Sequence, residues 1–216
     1  MKFRSILAML LVVAITPGAL SQSNGSFELG TDPGSFDDLF TGQTNITDWD
    51  VTGSVDYIGT LWVASDGVRS VDLTGDFAGS LSQSVATTPG FVYSVTFDLS
   101  GNPDGPNDTK TMGVTTDGGS AQTYTYAVTA ANTRTNMMWR TETYYFSALD
   151  AEALLAFTSL TPGFFGPALD NVRVNVVNQV CHQNDGNKGP KTLTVGAPAV
   201  APHLAHGDTP GPCAAS

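Results

Sequence analysis

What most limits the folds open to this chain is its punctuation between Val51 and Val177. Short runs rich in Val, Thr, Tyr and Phe are separated by Gly, Pro, Asn and Asp: SVDYIGTLWVA, RSVDLTG, GSLSQSVAT, FVYSVTFDLSG, TKTMGVTT, QTYTYAVTA, RTETYYFSA, ALLAFTSL and LDNVRVNVV. A recurrence of roughly a dozen residues, with turn residues between, predicts an antiparallel sandwich or barrel. In FVYSVTFDL the positions Phe91, Tyr93, Val95, Phe97 and Leu99 alternate with smaller or polar residues, so one face packs inward and the other meets water or a partner. Helical periodicity is nearly absent before residue 196. SALDAEALLAF admits either a helical turn over Asp150 to Leu155 or an acidic loop leading into a strand.

The start of the chain points to export. Lys2 and Arg4 precede an apolar run from Ile6 to Ile15, followed by Pro17, Gly18 and a small-residue site at Ala19-Leu20-Ser21, the order of a secretory leader. That run is too short to span a hydrocarbon core of roughly 30 Å as a helix. No second long apolar stretch follows, so we expect a secreted or cell-surface protein without a membrane span. The domain reading is a leader at 1–21, a β-sandwich at 22–177 and a tail module at 178–216. Removing Lys2 and Arg4 with the leader leaves 7 basic residues against 20 acidic ones, a net charge of −13. Nucleic acid is thereby excluded as a partner, because phosphate binding needs concentrated Lys and Arg. Of the acidic residues, 17 are aspartates, mostly beside turn residues. Aspartate serves there as a turn former and is also an oxygen donor suited to Ca²⁺.

The Gly/Pro loops SGNPDGPNDTK and TSLTPGFFGPALD are long enough to carry binding residues on a rigid scaffold. Phe164 and Phe165, at the tip of the second, are the most conspicuous apolar residues in any loop. Sugars present C–H groups on one ring face, so a flat aromatic beside Asn, Asp or Arg is the recognition chemistry to look for. Trp49 and Trp62 read as core residues, whereas Trp139, between Met138 and Arg140, is the surface candidate. Together with Asn102, Asp104 and Phe164 it makes the expected ligand-binding set. Catalysis finds little support. The three glutamates are scattered, all three histidines lie beyond residue 181, and no nucleophile elbow or HExxH is present.

Five segments in order resemble the choice-of-anchor C family of secreted bacterial proteins, and more distantly the galactose-binding-like domain family of plant cell-wall proteins. They are NGSFE at 24–28, VDYIGTLWVASDGVRSVDLTG at 55–75, GSLSQSV at 79–85, FDLSGNP at 97–103 and GPALDNVRV at 166–174. The resemblance implies a jelly-roll β-sandwich, galactose-binding-domain-like, that binds polysaccharide or a cell-surface glycan without catalysis. It also implies a Ca²⁺ held between the ends of a first and a last strand, by Glu28 and Asp170 with Asp72 as a third donor. Without an ion, Glu28 would pair with Arg173 or Arg69 and Asp170 would cap a turn.

The tail after Val177 holds both cysteines and all three histidines. Cys181-His182 leads into a polar turn, QNDGNKGP, then a strand KTLTV and an Ala/Pro stretch. If Pro198 or Pro202 starts a short helix that Gly207 ends, His203 and His206 share one face. Two readings of this small Cys/His appendage stand side by side. In an exported chain Cys181 and Cys213 would form a disulfide, leaving the histidines to bind metal independently. Alternatively Cys181, His182, His203, His206 and Cys213 supply a Zn²⁺ site, since that ion accepts thiolate and imidazole ligands.

Overall fold

The computed structural model describes residues 22–117, 119–183 and 189–214. The leader expected at 1–21, and 184–188 of the expected polar turn, lie outside the described residues. Among the described residues, eleven strands build two facing antiparallel sheets. One sheet has the order β1-β3-β4-β11-β6-β9, made of Phe36–Phe40, Ser54–Ile58, Ser70–Asp72, Pro167–Val176, Val92–Gly101 and Arg140–Ser147. The other has the order β2-β5-β10-β7-β8, made of Asp50–Thr52, Ser80–Ala86, Glu152–Ser159, Thr109–Thr116 and Gln122–Ala127. The ambiguous acidic segment therefore resolves as a loop before a strand, with β10 beginning at Glu152.

Period-two patterning builds the core. Leu81 and Val85 of β5, Leu155 and Phe157 of β10, and Met112 and Val114 of β7 turn inward against Val95, Phe97 and Leu99 of β6. Phe97 is central, meeting Tyr124 and Phe157 edge-on at 5.1 and 5.2 Å between ring centroids. Each such buried aromatic or aliphatic side chain stabilises the fold by about 1.5–3 kcal/mol. Trp49 lies in this core at 2 % exposure.

The alternation breaks at one end of the six-stranded sheet. All of β3 is buried, as are residues 97–101 of β6 and 167–170 of β11, so both faces of the sheet are covered there. The cover comes from the long β3–β4 and β8–β9 connections. Ile58, Trp62, Met137 and Ala168 form a second small core on the outer face, with Trp139 packed against it.

The ends of the sandwich segment meet, as expected: the amide of Val172 donates to the carbonyl of Gly25 at 2.8 Å. Residues 24–28, however, form a turn, not a strand. Phe27 adopts a positive φ of 59° and is fully buried against Trp49, with the Tyr57 hydroxyl donating to its carbonyl at 2.5 Å.

The C-terminal residues add a third sheet, order β13-β12-β14, from Lys191–Thr194, Gln179–His182 and Thr209–Pro210, with helix α1 at Ala197–Ala205. Val180 and Val200 pack with Val92 and Val177 of the sandwich, so the appendage is docked on it. Pro198 sits in the first turn of α1, where its missing N–H costs nothing, and Pro202 lies inside the helix.

Candidate functional site

Beneath the covered end of the sheet, carboxylates anchor the loop over it. Asp170, fully buried, accepts the amides of Ser65 and Asp66 on Oδ2 at 2.7 and 2.9 Å and that of Asn171 on Oδ1 at 2.6 Å. Its cross-strand neighbour Asp98 accepts the Ser65 and Thr141 hydroxyls and the Asn171 side-chain amide at 2.5, 2.6 and 2.8 Å. Asn171 takes a positive φ of 51° at the β11 bulge, which aims its side chain there. Glu28 Oε1 accepts the amides of Val68 and Arg69 at 2.7 and 2.8 Å. A Cβ on Gly67 would fall 2.3 Å from that oxygen, so only glycine lets the loop close on it.

These donors bear on the expected Ca²⁺. Glu28 points Oε1, and Asp170 both oxygens, at backbone N–H groups, whose hydrogens occupy the space a cation would need at those atoms. Asp72 is likewise saturated, by the amides of Thr74 and Gly166 and the Asn102 side chain. Among the described residues the three carboxylates form no cluster of ligating oxygens within 4.8 Å. The set fits loop anchors and does not fit a calcium cage. Nor does Arg173 pair with Glu28; it reaches Asp66 at 3.3 Å, while Arg69 donates to the Glu28 carbonyl at 3.1 Å.

Cross-strand register aligns a second set of acids, Asp38 opposite Asp56 and Asp56 opposite Asp72. Burial, the hydrogen bond to Asp38 and the charges of Asp72, Asp38 and Asp76 push the Asp56 carboxyl up to about 9. Its Oδ1 is buried without a partner among the described residues, 2.9 Å from where a Cβ on Gly75 would stand. Burial raises Asp72 and Asp170 to about 7, against the opposing pull of their hydrogen bonds. At Asp98 the hydrogen bonds from Ser65, Thr141 and Asn171 outweigh burial, and its carboxyl lies below the ordinary range.

Four connections interlock at this end of the sandwich. Asn102 donates its amide N–H to the Gly166 carbonyl at 2.9 Å, and Phe165 packs against Gly105. Arg134 holds Asp104 through two nitrogens, Nε at 2.8 and 3.1 Å and Nη2 at 2.8 Å. Val63 donates to the Arg134 carbonyl at 2.8 Å and accepts the Trp139 indole N–H at 3.0 Å. Phe164 projects from the same end at 62 % exposure. The structure thus brings Asp104 and Trp139 onto one rim, and the Phe164–Phe165 loop joins it at Gly105. It removes Asn102 from the ligand set, because that side chain is 4 % exposed and its amide is spent on Asp72. Phe165, conspicuous in the same loop as Phe164, joins the rim beside the expected set. No local signal distinguishes Arg134, which reaches Asp104 across 30 positions.

In the appendage Cys181 and Cys213 are joined as a disulfide, which takes both thiolates out of any metal site. His182 and His203 turn their Nδ1 atoms to Asp208, at 3.0 and 2.7 Å from its Oδ2. Hydrogen bonds from His182 and the Gln183 amide lead the causes that lower the Asp208 carboxyl to about 2. The pairing of His203 with His206 on one helix face does not form, because α1 ends at Ala205 and His206 caps it. His182 and Asp208 replace it. Their proximity comes from the antiparallel pairing of β12 with β14, which sequence spacing does not display.

Residues 21–175 match the family model described as "Protein of unknown function (DUF642)". The chain belongs to the DUF642 family. That description stands in place of the choice-of-anchor C name suggested by sequence. A region of halomucin from Haloquadratum walsbyi is 32 % identical over 161 residues, which is 70 % of this DUF642 chain and 2 % of that protein. Among solved structures, TmCBM61 in complex with β-1,4-galactotriose is 16 % identical, covering 71 % of this chain and 96 % of that one at a TM-score of 0.45. A family 35 carbohydrate-binding module from Clostridium thermocellum is 11 % identical, covering 68 % and 95 % at a TM-score of 0.40.

Proposed function

We propose that this DUF642 chain is an exported, non-catalytic carbohydrate-binding module whose ligand lies across the interlocked loop end. The observation that carries this reading is the exposure of Phe164 and Phe165, 62 % and 37 %, on a loop whose Phe165 packs against Gly105, the neighbour in sequence of the Asp104 that Arg134 holds. Aromatic faces offer a platform for the C–H side of a pyranose, and the adjoining carboxylate and guanidinium are donors and acceptors for its hydroxyls. Trp139 is partly buried on the same rim and braces it through Val63. The platform needs no lid or moving part, because backbone hydrogen bonds between the loops hold it. In this reading Asp170, Glu28 and Asp98 are the foundations of the site, not its contacts.

A glycan array probed with the mature chain tests it. Binding to a defined polysaccharide, lost on Phe164→Ala with an unchanged melting temperature, supports the reading; binding to no glycan overturns it. A second reading, an adhesive module for other proteins, draws on a different surface. Phe40 of the edge strand β1 and Phe77 are 40 % and 53 % exposed, with ring centroids 6.4 Å apart. Under that reading the tail docks the module, and deleting residues 178–216 abolishes attachment while the sandwich stays folded.

A further inference from the structure

The appendage contains a convergence of ligand atoms that glycan binding does not use. Among the described residues, one ligand atom each from His182, His203 and Asp208 lie within 4.8 Å of one another. They come from three different elements: the end of β12, the last turn of α1 and the residue preceding β14. The Asp208 side chain is only 2 % exposed, while the two imidazoles are 39 % and 29 % exposed, so the carboxylate forms the floor and the rings the open walls. The rings stand nearly perpendicular, at 86° with centroids 6.1 Å apart, which lets both present Nδ1 to the same oxygen without stacking.

We infer that His182, His203 and Asp208 form a binding site for a divalent transition metal, Zn²⁺ being the natural occupant. The donor set is two imidazole nitrogens and one carboxylate oxygen. It suits Zn²⁺ and its borderline neighbours, whereas Ca²⁺ and Mg²⁺ take oxygen ligands almost exclusively. Ligands about 2.0–2.1 Å from a tetrahedral Zn²⁺ stand roughly 3.4 Å apart. The existing Nδ1 to Oδ2 separations of 2.7 and 3.0 Å need to open only slightly to admit the ion. Three protein ligands leave the fourth position to water or to a donor from a partner.

The surroundings are built to hold these ligands. The Gln183 amide donates to Asp208 Oδ1 at 2.9 Å, orienting the carboxylate so that Oδ2 faces both rings, the outer support that metal-binding carboxylates commonly receive. The Asp208 amide donates to the His203 carbonyl at 3.2 Å, tying the turn to the helix end. The Cys181–Cys213 disulfide adjoins His182 and fixes β12 against the last residues. Metal binding at Nδ1 replaces the two hydrogen bonds that His182 and His203 make to Asp208 with metal–ligand bonds. Occupancy would crosslink β12, α1 and the turn before β14 beside the disulfide, making this tail a doubly braced element.

Titration of the full chain with ZnCl₂ by calorimetry, followed by imidazole ¹⁵N NMR, tests the site. We expect saturable binding of one ion per chain, with the Nδ1 resonances of His182 and His203 moving together and those of His206 staying in place. His203→Ala and Asp208→Asn should weaken binding at least tenfold, and His206→Ala should leave it unchanged. The wild-type spectra report on the site even if a variant fails to fold. The assignment is overturned if Zn²⁺ does not saturate, if the two Nδ1 signals do not respond, or if affinity survives His203→Ala. Glycan binding by the loop end stands or falls separately.

Discussion

Replacing Asp56 by Asn should stabilise the protein, and only above acidic pH. Asp56 is 8 % exposed, faces Asp38 and Asp72 on the neighbouring strands, and has its carboxyl raised from 3.8 to about 9. A carboxyl whose folded value is raised contributes stability that is fully present below its unfolded value. That contribution is lost progressively as pH climbs through the interval up to the folded value. The window here runs from about pH 4 to about pH 9. At pH 7, some three units into it, ~1.4 kcal/mol per unit amounts to about 4 kcal/mol, which solvent screening near the sheet edge reduces to about 2 kcal/mol. Asn is nearly isosteric, carries no charge and can donate to Asp38. For a chain of this size about 2 kcal/mol corresponds to a rise in Tm of roughly 4–8 °C. Thermal melts followed by circular dichroism at pH 4, 7 and 8.5 read it directly. The difference between variant and wild type should be near zero at pH 4 and grow with pH. A constant difference across the series, or a lower Tm for Asp56→Asn at pH 8.5, refutes the reasoning.

Three further outcomes follow from the same contacts. Asp170→Ala strands the amides of Ser65, Asp66 and Asn171 and should cost on the order of 3 kcal/mol, read as a lower denaturation midpoint. Because Glu28 Oε1 and the carboxylates of Asp170 and Asp72 accept N–H donors, and the three form no cluster among the described residues, excess EDTA or added Ca²⁺ should leave the sandwich's Tm unchanged. Cys181→Ser with Cys213→Ser opens a loop spanning 32 positions. In the chain-entropy model that loses about 3–4 kcal/mol, and hydrogen exchange should show the loss confined to residues 178–214.

The architecture was legible because its causes are local. Period-two runs such as Phe91 to Leu99, broken by Gly, Pro, Asn and Asp, can bury one face only by pairing two sheets. Of the two readings open for the tail, Cys181 and Cys213 take the disulfide. What the sequence leaves unread is where the short polar side chains at the strand ends find their partners. Asp170 accepts the amides of Ser65 and Asp66 from 105 and 104 positions away, and Asp72 accepts the side-chain amide that Asn102 donates across 30 positions. The loop that covers them cannot be anticipated from alternation, since it buries a sheet face whose residues read as polar. Glu28 was placed on a strand, but the turn at Phe27, with its positive φ, set it against Gly67. The pairing of Asp208 with His182 is not legible in sequence, because it depends on the register of β12 and β14, a non-local property.

Affinity electrophoresis through gels cast with candidate polysaccharides tests most directly whether the loop end is a glycan platform. The account predicts that the wild-type chain is retarded by a particular polysaccharide, and that Phe164→Ala and Arg134→Ala migrate as in a blank gel while melting at the wild-type temperature. Equal retardation of wild type and both variants, or free migration of the wild type through every polysaccharide, would contradict it.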